Sequence, residues 1–236
     1  MASTTDKGQI IALFPPSMKL AELIDCNHNL LSVLSRLDVS LGFGEHSIEQ
    51  ACRIHGVNVD SFLIICNMYN FEGYIPSQTV LDRADVLDIV KYLHNSHLDY
   101  VQSLRSLQSL LEQMMEPCSA SQKKMIEKFY NDYRDEVRIH FGYEEDIVLP
   151  YVQSLVEGKS GDGYSIEAFE EKHGDIEEKL GDLKNLVMKY LPETCDQVLR
   201  YDVLHQIYHL EKDLTKHTLI EDNVLTPMVM HIESRR

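Results

Sequence analysis

The chain is poor in basic residues. Lys and Arg number 22 against 38 Asp and Glu, for a formal net charge of −16. Nucleic acid and anionic membrane both select for a basic face, so this balance argues against either as a partner. No apolar run approaches membrane-spanning length, and the start lacks the basic region and long apolar core of a signal peptide. Cysteine is sparse: Cys26, Cys52, Cys66, Cys118 and Cys195 are odd in number, scattered and without a C-x-x-C spacing. They read as reduced thiols of a cytoplasmic protein, not as a disulfide framework. No stretch reads as a β-strand, which leaves an all-α fold. An apolar fraction of 44% is ample for its core.

What the chain does have is one short pattern written twice. His140 is followed by Glu144, Glu145, an apolar stretch and Pro150. His217 is followed by Glu221, Asp222, an apolar stretch and Pro227. Positions i and i+4 of a helix share a face, so each copy presents an imidazole and a carboxylate to one point. Iron, manganese and zinc all accept that mixture. Single histidines, His94 and His173, precede the two copies at nearly equal intervals, as in a duplicated helix pair. Two such pairs make a four-helix bundle with inward His and Glu from all four helices. Four imidazoles, two bridging carboxylates and one oxo or hydroxo bridge would leave each of two ions one open position. That coordination suits iron or manganese better than zinc, which usually prefers four ligands.

Three segments follow along the chain. Residues 1–16 read as a loose tail ending at Pro15 and Pro16. Residues 17–75 read as a small domain of short helices, with Ser47 and Gln50 as a capping box and a helix opening at Asn58. Residues 76–236 read as the bundle. Its first helix runs from about Arg83 to Met115, with Val86, Ile89, Val90, Leu93, Leu104, Leu107 and Leu111 on the buried stripe. The second opens near Ser119 or Ser121 and passes Glu144. The third covers about Ser165 to Tyr190, and the fourth about Glu193 to Pro227.

The blander readings of the same residues are a solvated His–Glu helix contact, worth a few tenths of a kcal/mol, and core or surface histidines without function. Duplicated context favours the metal reading for His140 and His217. His97, His205 and His209 are given a structural reading, and Glu145 and Asp146 are read as a solvated acidic face.

With these residues in place, the bundle resembles the hemerythrin-like domains, and specifically the di-iron proteins for repair of iron centres, the RIC family. The resemblance runs through Tyr92 to His97, His140-x3-Glu144-Glu145 with Pro150, Glu171-Lys172-His173, and His217-x3-Glu221 with Pro227. It implies a non-haem pair of iron ions held by His94, His140, Glu144, His173, His217 and Glu221. It also implies nitric oxide or oxygen as the ligand, a part in nitrosative and oxidative stress, and iron-sulfur proteins as partners in cluster repair. A non-catalytic oxygen- or iron-binding sensor or store is the alternative. Whether the protein is an enzyme, and whether it forms a homo-oligomer, stays open.

Oxygen-carrying hemerythrins use His-x4-Asp on the last helix, a spacing that Asp222 satisfies. On a straight helix Glu221 lies about 40° round from His217 and Asp222 about 140°, so Glu221 is favoured. Leu37 to Val39 and the turn before Ser47 resemble the small N-terminal domain of the repair proteins. Ser40 and Leu41, however, stand where that family has adjacent cysteines. The segment is expected to contribute no metal ligand.

Overall fold

The computed structural model describes residues 2–4, 10–159, 164–170 and 176–235. It is an all-α protein in which smaller helices precede a helix bundle. The first helices are α1 (Leu20–Cys26), α2 (Leu30–Arg36), α3 (Ile48–His55), α4 (Val59–Asn70) and α5 (Gln78–Leu81). Those that follow are α6 (Val86–Met114), α7 (Ala120–Tyr143), α8 (Leu149–Val156), α9 (Glu167–Glu170), α10 (Ile176–Asn185), α11 (Gln197–Ile220) and α12 (Thr226–Glu233), of which α6, α7 and α11 are long. The loose tail expected up to residue 16 instead carries two short strands, β1 (Ala2–Thr4) and β2 (Ile10–Ala12), paired antiparallel. Three residues per strand are too few to write an alternating pattern into the sequence.

Side-chain caps set several helix starts where the sequence places them. Ser47 accepts from the Gln50 amide while Gln50 accepts from that of Ser47, at 3.3 and 2.9 Å. Asn58 caps α4 by accepting from the Asp60 and Ser61 amides. Ser119 and Gln122 repeat the capping box at the head of α7. Each cap satisfies amides that the first turn leaves without a partner, typically worth about 1 kcal/mol.

The chain divides into two compact units. The first comprises 1–96, 151–170 and 216–236, and the second 97–150 and 171–215. The division runs across α6 and α11.

Within the second unit, Tyr100, Leu104, Leu107, Leu111 and Met114 line one face of α6. They pack with Ile126, Tyr130, Tyr133, Val137 and Phe141 of α7, with Leu180 and Leu183 of α10, and with Val203, Ile207, Leu210 and Leu214 of α11. The steps of three and four are the helical period, and each fully buried aliphatic contributes about 1.5–3 kcal/mol.

In the first unit, α4 is buried from Ser61 to Tyr69, as a central helix must be. Arg36 of α2 is 3% exposed and donates to the hydroxyls of Tyr69 and Tyr92, which bond to each other at 2.7 Å. Asn95 donates to the Arg36 carbonyl, and Lys91 pairs with Asp38. These contacts fasten the N-terminal helices to the head of α6. Among the described residues, no helix is long and apolar enough to cross a membrane.

Cys118 and Cys195 correct the expectation of five reduced thiols. They are joined in a disulfide, with Cα atoms 5.8 Å apart and a sequence separation of 77. They follow α6 and precede α11, and nothing in their spacing announces that those two turns meet.

Candidate metal centre

Both His-Glu copies end in the same backbone device. Past Tyr143 and Ile220 the helices widen into single π-helical turns, Glu144–Val148 and Glu221–Leu225. In each, the amide of the residue before the proline bonds to the glutamate carbonyl, Leu149 to Glu144 and Thr226 to Glu221. Proline supplies the reason: its ring cannot donate and clashes with the carbonyl four residues back, so the helix opens by one residue. Each glutamate is thereby the first residue of a wide turn, and each side chain is only 1% exposed.

Imidazoles meet both carboxylates. Glu144 Oε1 lies 2.6 Å from His140 Nε2, and its Oε2 lies 2.7 Å from His97 Nε2. Glu221 Oε1 lies 2.8 Å from His217 Nε2. The far nitrogens have partners as well. His97 Nδ1 is 2.5 Å from Glu145 Oε1, and His217 Nδ1 is 2.8 Å from the Ser96 hydroxyl. Phe141 stacks on the His97 ring with centroids 4.2 Å apart, and Tyr100 meets Phe141 edge-on at 5.4 Å. The Tyr100 hydroxyl bonds to that of Tyr133, and burial pushes both phenols above their ordinary range. An apolar wall with a neutral phenol pair behind it keeps water from that side of His97.

One ligand atom from each of His97, Glu144, His217 and Glu221 lies within 4.8 Å of the other three. Carboxylates gathered this closely repel one another, and each has also lost its water at a cost of several kcal/mol. A cation among them reverses the sign of the first cost and offsets the second. The donor set is two imidazole nitrogens and two carboxylate oxygens without thiolate, which suits iron, manganese or zinc. The residues therefore fit a metal ion.

The structure brings together three of the residues singled out from sequence: Glu144, His217 and Glu221. His140 stands beside Glu144 without being one of the clustered four. His94 is exposed, and the imidazole that α6 gives to the cluster is His97. Their positions on the helix explain the difference in burial. Leu93, His97 and Tyr100 continue the buried stripe of α6, and His94 falls beside it. His173 lies in 171–175, outside the described residues. Asp222 is exposed whereas Glu221 is buried, so the carboxylate in the cluster is the one at i+4. Glu145 is more than part of a solvated acidic face, because its carboxylate holds His97. Ser96 carried no signal in the sequence.

No curated protein matches the chain significantly. The family model described as the hemerythrin HHE cation-binding domain matches residues 88–229, more than half of the chain and the stretch that holds every clustered residue. With buried His and Glu gathered within that stretch, the chain belongs to the hemerythrin HHE cation-binding domain family.

Proposed function

We propose that the site holds two iron ions and binds or reacts with a small diatomic molecule, nitric oxide or oxygen. The observation that carries this reading is the two-sided use of Glu144, whose oxygens face different imidazoles, His140 and His97. A carboxylate so placed is suited to bridge two cations. The proposed ligands are His97, His140, Glu144, His217 and Glu221. His173, outside the described residues, remains the sixth by resemblance to the repair proteins. His97 replaces His94 in this set because a ligand must face inward. Bound iron would supply the redox chemistry and the open coordination position for the diatomic. The protein's own side chains neutralise charge, exclude water along Phe141, and hold the imidazoles in place.

A role in nitrosative and oxidative stress, extending to repair of iron-sulfur proteins, is the reading we place first. Metal analysis and the optical spectrum of purified protein test its base. Two irons per chain, with visible bands that change on adding nitric oxide to the reduced protein, are expected. One zinc per chain, or none, overturns it.

The second reading, a non-catalytic binder that senses or stores oxygen or iron, has an observation of its own. The N-terminal helices hold Cys52 and Cys66 in their interior. Burial, with some help from Asp88, pushes the Cys52 thiol up to about 12, and burial pushes Cys66 well above its ordinary value. Such thiols offer little thiolate for iron delivery or redox exchange. Turnover of nitric oxide by the reduced protein favours the first reading, and a stable reversible adduct the second.

A further inference from the structure

We propose that Ser96 and Glu145 are positioning residues. Each holds the Nδ1–H of one imidazole, so that Nε2 is the atom presented to the cation. The proposal rests on the metal reading above and assigns the atoms through which two of its ligands act.

Proton bookkeeping decides the case of His217. The Ser96 hydroxyl has one proton, and it already donates to the Leu93 carbonyl at 2.7 Å, an oxygen that can only accept. Toward His217 Nδ1, 2.8 Å away, Ser96 Oγ is left as the acceptor. The proton between them therefore sits on Nδ1. In a neutral ring this leaves the lone pair on Nε2, the atom 2.8 Å from Glu221 Oε1. His97 reaches the same state by another route. Its Nδ1 meets the half-exposed Glu145 carboxylate, an acceptor, and its Nε2 points at Glu144. Phe141, stacked on the ring, fixes the plane in which it lies.

The pair shares one piece of backbone. Ser96 and His97 are neighbours on α6, both buried, so one turn of helix supplies an imidazole and the hydroxyl that orients another. Groups that hold the far nitrogen of a ligating histidine fix its tautomer and ring orientation, and their loss typically weakens metal binding about 10–100-fold.

Long-range proton–nitrogen NMR spectra of the full-length chain read which imidazole nitrogen bears the proton, metal-free and with zinc as a diamagnetic probe. We expect Nδ1–H on both His97 and His217, with zinc shifting Nε2 of each. Ser96→Ala should release the His217 ring alone, and Glu145→Ala the His97 ring alone. Each variant should weaken ferrous iron binding about 10–100-fold, and Ser96→Thr, which keeps the hydroxyl, should restore it. A bare Nδ1 on either ring overturns the assignment, as do alanine variants that bind iron like the wild type. Should the wild type take up neither zinc nor iron, the metal reading falls, and the metal-free spectrum still decides the positioning.

Discussion

The Leu149 amide reaches back five residues to the carbonyl of Glu144. An α-helix would have sent it to Glu145. That one-residue slip places Glu144 at the start of a wide turn just before Pro150, and Thr226 repeats it with Glu221 just before Pro227. The motif is thus a side-chain spacing and a backbone device together.

Pro150→Ala tests the device. Alanine restores the amide and removes the ring clash, so the helix is free to close to the α register and rotate the carboxylate out of place. We expect tighter helix packing near Val148 but a loss of metal affinity comparable to removing an orienting group, about 10–100-fold. Pro227→Ala should act in the same way on Glu221. A variant that keeps full metal content in isothermal titration shows that the turn holds without its proline.

The choice between adjacent acids on the last helix gives a second test. Glu144→Ala and Glu221→Ala each remove a buried carboxylate from the cluster, and metal content measured by elemental analysis should collapse. Asp222→Asn changes an exposed side chain and should leave the content within error of the wild type. Retention in Glu221→Ala with loss in Asp222→Asn would reverse the assignment.

The Cys118–Cys195 bond predicts a reductant-sensitive stability. Closing a loop of this length restricts the unfolded chain by about 4 kcal/mol in the chain-entropy description. Reduction, or Cys118→Ser, should therefore lower the thermal midpoint of the unreduced protein by several degrees. Thiol titration in denaturant should count three thiols before reduction, from Cys26, Cys52 and Cys66. A count of five in protein purified without reductant is the contrary result.

Alkylation discriminates among those three. With its thiol near 12, Cys52 is deprotonated at pH 8 in only about one molecule in ten thousand, and burial holds Cys66 well above its ordinary value too. The sign is that of a raised acid: the neutral thiol prevails throughout the neutral range, and reactivity appears only as pH climbs toward the shifted value. Peptide mapping after brief iodoacetamide treatment at pH 8 should find label on exposed Cys26 and almost none on Cys52 or Cys66. Equal labelling of all three would mean that the N-terminal core opens readily.

The bundle and its pairs of His and Glu were legible because helical period and duplication both write themselves into sequence. Val86, Ile89, Leu93, Leu104, Leu107 and Leu111 mark the buried stripe of α6, and steps of three and four from Leu93 to Leu104 pass through His97 and Tyr100. The sequence reading nevertheless took His94, for its interval to His173, and left His97 a structural residue, because the spacing of the motifs was weighed above the buried stripe. Glu145 and Ser96 were harder to see. A serine that accepts from a histidine 121 residues away has no local spacing to betray it. The disulfide was hidden for the same reason, since loops that meet in space leave no periodic trace. The strands at the start were simply too short.

That long-range hydroxyl has a consequence for how the protein is made. Ser96 is translated well over a hundred residues before the ring it orients, and the hydrogen bond between them cannot form until α11 has been synthesised almost to its end. Contacts of such separation come late in folding, after the cost of closing the loop has been met. The Glu144 half of the centre, with His97 and His140, needs only the first 145 residues of chain. A nascent chain stalled between the two has His97, His140 and Glu144 but not His217 or Glu221. The four-residue cluster is therefore a property of the finished chain, complete only when the last long helix has joined the first two.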